Sequence, residues 1–222
     1  MCFENNEEHK IDNEINEEGA MRIKKILIFA IVVLAIAAAG CATHKRSQLD
    51  VLTTDAYPCH MTAKGISAAA EPFETEKEAK KGFYVDVRKQ GFYPVLVVFR
   101  NGTNDRIIFL KDTVELIDAG NNVYRPVGCT VMSDACEHNK MAYALLGFGI
   151  FSYMSAEEAN RKMATDWREK EIQDQCIIPA GRKKSGFVYF KLPEGKTTEG
   201  CTLKLQVESL ETNEKVPFEF NL

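Results

Sequence analysis

From residue 64 onward the apolar residues fall in short runs separated by turn residues, and within the runs they recur at every second position. The segment CTLKLQVESL (201–210) makes the pattern explicit: Leu203, Leu205 and Val207 share one face, and Lys204, Gln206 and Glu208 the other. Comparable strand-like runs are GISAAAEPF (65–73), GFYVDVRK (82–89), PVLVVFR (94–100), RIIFL (106–110), VELID (114–118), VYRPV (123–127), GFVYFKL (186–192) and VPFEF (216–220). Asn101-Gly102 opens the loop after PVLVVFR, Ala119 to Asn122 separates VELID from VYRPV, and Pro179-Ala180-Gly181 precedes GFVYF, all with turn chemistry. Pro94 is expected to open its strand, where a missing N–H costs no ladder bond. Short alternating strands at this spacing predict a mainly β chain, with an immunoglobulin-like antiparallel β-sandwich over 64–222.

Two helix starts interrupt the strands. Thr75 with Glu78 forms a capping box ahead of EKEAKK, and Ser155 with Glu158 forms a second ahead of AEEANRKMATDWREKEI. In that second helix Ala156, Ala159, Met163 and Trp167 fall on one stripe, and Glu157/Arg161 and Glu158/Lys162 are favourable i,i+4 pairs. A mostly helical insertion is therefore expected at about 137–175. Just before it, Met141 to Met154 is free of charge but too short to span a bilayer. It reads either as a helix packed on an open face of the sandwich or as a surface touching lipid or a partner, through Tyr143, Leu145, Leu146, Phe148, Ile150, Phe151 and Tyr153.

The first forty residues have a different character. Residues 1–20 are acidic and aperiodic, which predicts a disordered extension or an upstream start that is not used. Residues 21–40 begin MRIKK and continue as an uncharged apolar run from Ile26 to Ala39, the charged and hydrophobic regions of a secretory signal. The run ends in Ala37-Ala38-Ala39-Gly40 before Cys41, and this stretch resembles the lipobox of bacterial lipoproteins, although Ala38 stands where that pattern usually has Leu. The resemblance covers Met21 to Cys41 and implies cleavage between Gly40 and Cys41, diacylglycerol on the Cys41 thiol, and anchorage by acyl chains. Ala42, where Asp would favour the inner membrane, implies an outer-membrane protein facing the periplasm. The polar stretch 41–63 then reads as a lipidated tether.

Charge narrows the function. Lys+Arg total 28 against 32 Asp+Glu, and 4 basic and 7 acidic residues lie in 1–40, so the remainder is nearly neutral. It has no basic cluster suited to nucleic acid. Beyond Cys2 and Cys41 there are five cysteines, Cys59, Cys129, Cys136, Cys176 and Cys201. An oxidising compartment would pair them, with Cys129 and Cys136 across a loop-like CTVMSDAC, Cys176 with Cys201, and Cys59 left over. Cys59-His60 and Cys136-Glu137-His138 contain zinc-type ligands but lack regular ligand spacing. No nucleophile elbow, P-loop or dinucleotide fingerprint is present, and no cofactor or small-molecule substrate is indicated. The expectation is a non-enzymatic, lipid-anchored envelope protein that binds an envelope partner or supports an assembly. The alternative is a periplasmic metal-binding or thiol-redox protein using Cys59, Cys129 and Cys136 with His60 and His138.

Overall fold

The apolar run FYPVLVVF shows no alternation of exposure because both of its faces are covered. It forms β3 (Phe92–Asn101), in which the first eight residues are all buried. The structure is a computed structural model that describes residues 24–25, 49–137 and 149–222, with the side chains of 149–156 excepted. The chain divides into two compact units, residues 1–43 with 139–156 and residues 44–138 with 157–222. The fold described here is that of the second unit. The disordered extension, the signal, Gly40 and Cys41 lie outside the described residues, as do Tyr143, Leu145, Leu146 and Phe148. The side chains of Ile150, Phe151 and Tyr153 lie outside them as well.

The chain forms the expected antiparallel β-sandwich. One sheet contains β1 (Cys59–Ala63), β2 (Ile66–Pro72), β3, β7 (Pro126–Val127) and β9 (Lys183–Lys191) in the order β1-β2-β3-β9-β7. The other is built on β10 (Thr202–Ser209). On one side β10 pairs with β11 (Lys215–Asn221). On the other it pairs with β4 (Ile107–Leu110) at its C-terminal half and β5 (Glu115–Ile117) at its N-terminal half. β8 (Gln175–Ile178) extends the sheet beyond β4, and β6 (Val123–Tyr124) extends it beyond β5. Between the sheets lies an apolar core that includes Val95, Val97, Phe99, Phe109, Leu116, Val188, Phe190, Leu203, Leu205, Val207, Phe218 and Phe220. The alternation seen in 201–210 and 216–220 is the inward and outward alternation of β10 and β11.

A second apolar cluster covers the outer face of the first sheet. Ala69, Phe92, Leu96, Val98, Phe187 and Tyr189 point away from the sandwich core and meet three helices. These are α1 (Glu76–Phe83), α2 (Cys129–Cys136) and α3 (Gly149–Lys170). Of the α3 stripe foreseen in the sequence, Ala159, Met163 and Trp167 are 2% exposed or less. Trp167 Nε1 donates to the carbonyl of Phe83 at 3.3 Å, and the Tyr189 hydroxyl donates to the carbonyl of Trp167 at 2.9 Å. Helix, strand and helix are thereby held in register through groups that would otherwise be buried without partners. Where α3 runs on towards β8 its backbone touches β9: Ile172 N–H donates to the Phe187 carbonyl at 3.0 Å. The approach requires Gly186, since a Cβ there would lie 2.7 Å from the Ile172 nitrogen.

Several sequence expectations are corrected. The run 82–89 is not a strand. α1 takes Gly82 and Phe83, Tyr84 adopts φ 67°, and Val87–Gln90 forms a 3-10 turn. Its apolar period serves burial of Phe83 and Val87 at a helix end. Ser155 does not cap its helix, which already begins at Gly149, whereas the Thr75/Glu78 capping box is present in both directions. The expected tether is shorter at its C-terminal end, because β1 occupies Cys59–Ala63. Pro94 stands third in β3 rather than first, opposite Tyr189 of β9 and beyond the last residue paired with β2, and its carbonyl still accepts from Phe73 N–H at 2.9 Å.

Candidate functional site

A cleft of about 640 Å³ opens where three stretches of chain meet. It is lined by Leu110, Lys111 and Asp112 after β4, by Arg125, Pro126 and Gly128 before α2, and by Asp174 and Gln175 before β8. Lys111 organises it. Its Nζ lies 2.8 Å from Glu171 Oε1 and 2.5 Å from Asp174 Oδ1, with the lysine side chain 12% exposed and Glu171 13%. Burial alone would push the Lys111 ammonium down, but its hydrogen bonds to Asp174 and Glu171 outweigh this and hold it above the ordinary lysine value. Across the cleft Arg125 pairs with Glu115 at 2.7 Å and donates to the Asp112 carbonyl at 3.1 Å.

Glu171 has a second task. The N-cap of α2 is Gly128, which has no side chain to accept from the first turn. The other Glu171 oxygen accepts from the Cys129 N–H at 3.3 Å and supplies the capping acceptor from a different element. One carboxylate thus ties the β4 end, the start of α2 and the end of α3 together. The cleft is charge-compensated: both of its cations already have carboxylate partners, so it offers no free anion site.

The neighbouring thiol is poorly suited to chemistry. Burial, reinforced by the hydrogen bond to Glu171 and only partly opposed by Arg168, pushes Cys129 up to about 11. Burial does the same for Cys136, also to about 11. A nucleophilic cysteine requires the opposite shift. Burial likewise raises Cys59, Cys176 and Cys201.

All five of these cysteines are free, and the expected disulfide pairings are not made. CTVMSDAC is a helix rather than a loop, so Cys129 and Cys136 sit at its two ends, about 10 Å apart by helical rise and beyond the roughly 7 Å limit for bridging. Cys176 lies opposite Phe109, which lies opposite Val207, whereas Cys201 precedes Thr202 at the far end of β10. About 20 Å of strand separates them. Cys59 donates to the Asn221 carbonyl at 3.2 Å, and His60 Nδ1 lies 2.7 Å from the Tyr57 carbonyl. As consecutive strand residues they point to opposite faces and do not converge. Among the described residues no group of three or more His, Cys, Asp or Glu is placed to hold a metal ion; His138 lies outside them.

A second polar centre, which the sequence reading passed over, is Asp118. Its carboxylate accepts from the Gly120 and Asn122 N–H groups at 2.8 and 2.9 Å, from the Tyr124 hydroxyl at 3.1 Å and from Lys196 at 3.2 Å. The Asn122 side chain and backbone, then Lys196 and Tyr124, hold it well below the usual carboxylate range. The signal was available in Asp-Ala-Gly-Asn-Asn, a side-chain-closed turn. Nothing in the sequence could pair Lys111 with Glu171, sixty residues apart.

No protein family profile matches the chain, and no curated protein does. Among solved structures it is similar to the yjhA protein of Bacillus subtilis, at 14% identity and a TM-score of 0.40 over 75% of this chain and 97% of that one. It is also similar to ycdA of Bacillus subtilis strain 168, described as a candidate lipoprotein, at 10% identity and a TM-score of 0.37 over 73% of this chain and 38% of that one. A third is the structural-genomics target SoR45, at 6% identity and a TM-score of 0.31 over 72% and 89%. Among the described residues no helix is long and apolar enough to cross a membrane.

Proposed function

We propose that this is a lipid-anchored cell-envelope protein whose β-sandwich is a non-enzymatic binding or structural module, held by acyl chains on Cys41 at the periplasmic face of the outer membrane. The observation that carries the reading is the sequence of Met21 to Cys41: a basic start, a short apolar run and small residues directly before a cysteine. Two or more acyl chains give stable anchorage without any spanning helix. Support also comes from the thiols and the cleft. The thiols are pushed away from reactivity, and the cleft's charges neutralise one another, so the domain is better suited to presenting a surface than to turning over a substrate. A partner in the envelope is the expected ligand.

Intact-mass measurement on protein extracted from native membranes tests the anchor. The expected species begins at Cys41 and carries the mass of two or three acyl chains. A species with an unmodified Cys41, whether cleaved or not, overturns the reading.

A further inference from the structure

Asn101-Gly102, where β3 gives way to its loop, is the only Asn-Gly pair in the chain. The fold dictates both residues. Asn101 is fully buried at the end of β3, and its side-chain amide is saturated. Nδ2 donates to the Asp105 carbonyl at 2.7 Å and to the Ile178 carbonyl at 3.0 Å. Oδ1 accepts from the Thr103 N–H at 3.0 Å and from the Thr103 hydroxyl at 2.7 Å. One side chain of the first sheet thus closes the loop to β4 and grips β8 of the second sheet. A carboxylate could not take its place. Two acceptor oxygens would have to face two carbonyls, and none of the four partners is a cation.

Gly102 is dictated by a close approach. Its N–H donates to the Gly65 carbonyl at 2.9 Å, and a Cβ at position 102 would stand 2.6 Å from that oxygen. The pair is therefore kept although it is chemically labile: a glycine nitrogen, unshielded by any side chain, can attack the side-chain carbonyl carbon of the asparagine before it. In the folded chain that attack requires the Asn101 amide to leave all four partners and the Gly102 N–H to leave the Gly65 carbonyl.

We propose that Asn101-Gly102 is a self-modification site that the fold holds inactive and that unfolding switches on, so that a prolonged opening of the sandwich becomes permanent. In the opened chain the Gly102 nitrogen gives up its proton to solvent and bonds to Asn101 Cγ, while the Cγ–Nδ2 bond breaks and the nitrogen departs as ammonia. Water then adds to one of the two carbonyls of the resulting cyclic imide and opens it, leaving aspartate or isoaspartate at position 101. One water is consumed and one ammonia released, with no change of oxidation state. Either product places a carboxylate where the junction of the two sheets needs two donors, and isoaspartate also adds a carbon to the backbone between β3 and its loop.

The test uses the full chain, purified in detergent and held in mildly alkaline buffer with or without concentrated guanidinium chloride. Peptide mass spectrometry reads amide-to-acid conversion at Asn101, with Asn104 and Asn122, followed by Asp and Val, as internal references. In denaturant Asn101 should convert ahead of both references. In the native chain its conversion should be slower by at least about a hundredfold, because the open fraction is smaller than that. Converted chains, separated by their added negative charge and returned to native buffer, should show a folded-to-unfolded ratio at least about tenfold lower at the midpoint of the unconverted chains. The Asn101→Asp chain, made directly, should show the same loss. Any one of three results overturns the proposal: equal conversion of Asn101 with and without denaturant, no lead of Asn101 over the references in denaturant, or an unfolding midpoint that neither conversion nor Asn101→Asp lowers.

Discussion

Replacing Trp167 by alanine should remove the seal between α3 and the outer face of the first sheet. The side chain is fully buried, lies edge-on to Phe83 at 5.9 Å and 82°, and satisfies the Phe83 carbonyl. A buried aromatic of this size takes about 150–250 Å² out of water, which at about 25 cal/mol per Å² is roughly 4–6 kcal/mol. Residual compactness of the unfolded chain lowers this to about 3–4 kcal/mol. The Phe83 carbonyl, left without its donor, adds about 1 kcal/mol where water cannot reach it. The expected loss is therefore about 4–5 kcal/mol, comparable to the whole stability of a modest domain. Trp167→Phe keeps most of the area and should cost about half as much. Urea unfolding followed by far-UV circular dichroism measures all three proteins, since the substitutions remove the chain's single tryptophan and its fluorescence. A Trp167→Ala loss below about 1 kcal/mol with an unchanged m-value would show that the helix layer does not seal the sheet, and would refute the three-layer account.

Three further outcomes follow from the polar groups. Cys129 and Cys136, raised from 9.0 to about 11, carry about a hundredfold less thiolate below pH 9 than an ordinary cysteine, so disulfide-exchange labelling of the folded chain should be slower by about that factor and denaturant should abolish the difference. Because the folded value lies above the unfolded one, the stability these thiols contribute is complete below pH 9 and is lost as pH rises from 9 towards 11. For Asp118 the sign is reversed: its value is lowered from 3.8 on folding, so its contribution is present above about pH 4 and is lost as pH falls below it, and Asp118→Asn should flatten the acid limb of a stability–pH curve; superimposable limbs would contradict this. Lys111→Met strands the Glu171 carboxylate at 13% exposure and should cost about 2–3 kcal/mol, much of it recovered when Glu171→Gln is added; strict additivity in that cycle would mean the pair is not coupled.

The strands that were readable from sequence are those that bury one face or whose apolar run is unmistakable. β10 and β11 alternate along their length, and β3 is apolar throughout because helices cover what would otherwise be its wet face. β1 escaped notice because Cys-His-Met-Thr-Ala, an edge strand exposed at its three central positions, carries almost no burial signal. β8 is only four residues long. Residues 82–89 misled because a two-residue apolar period also suits a helix end followed by a 3-10 turn, and Tyr84 in the left-handed region carries no signature in its residue type. Cys129–Cys136 reads as a loop in the sequence because the acceptor that caps its helix is a carboxylate forty-two positions downstream. The cleft is illegible for the same reason, being assembled from three stretches of chain that only the sandwich brings together.

The pairing of β3 with β9 has a consequence for how the chain is made. The partner that completes β3 begins at Lys183, more than eighty residues after β3 itself, and β10, on which the second sheet is built, follows later still. A chain delivered N-terminus first therefore holds eight consecutive core residues and an unpaired strand edge until most of the domain has emerged. Such closure is non-local and slow, and the waiting edge invites aggregation. Until β9 emerges, the order in which the strands arrive, rather than their final stability, decides whether this domain folds or associates with another copy of itself.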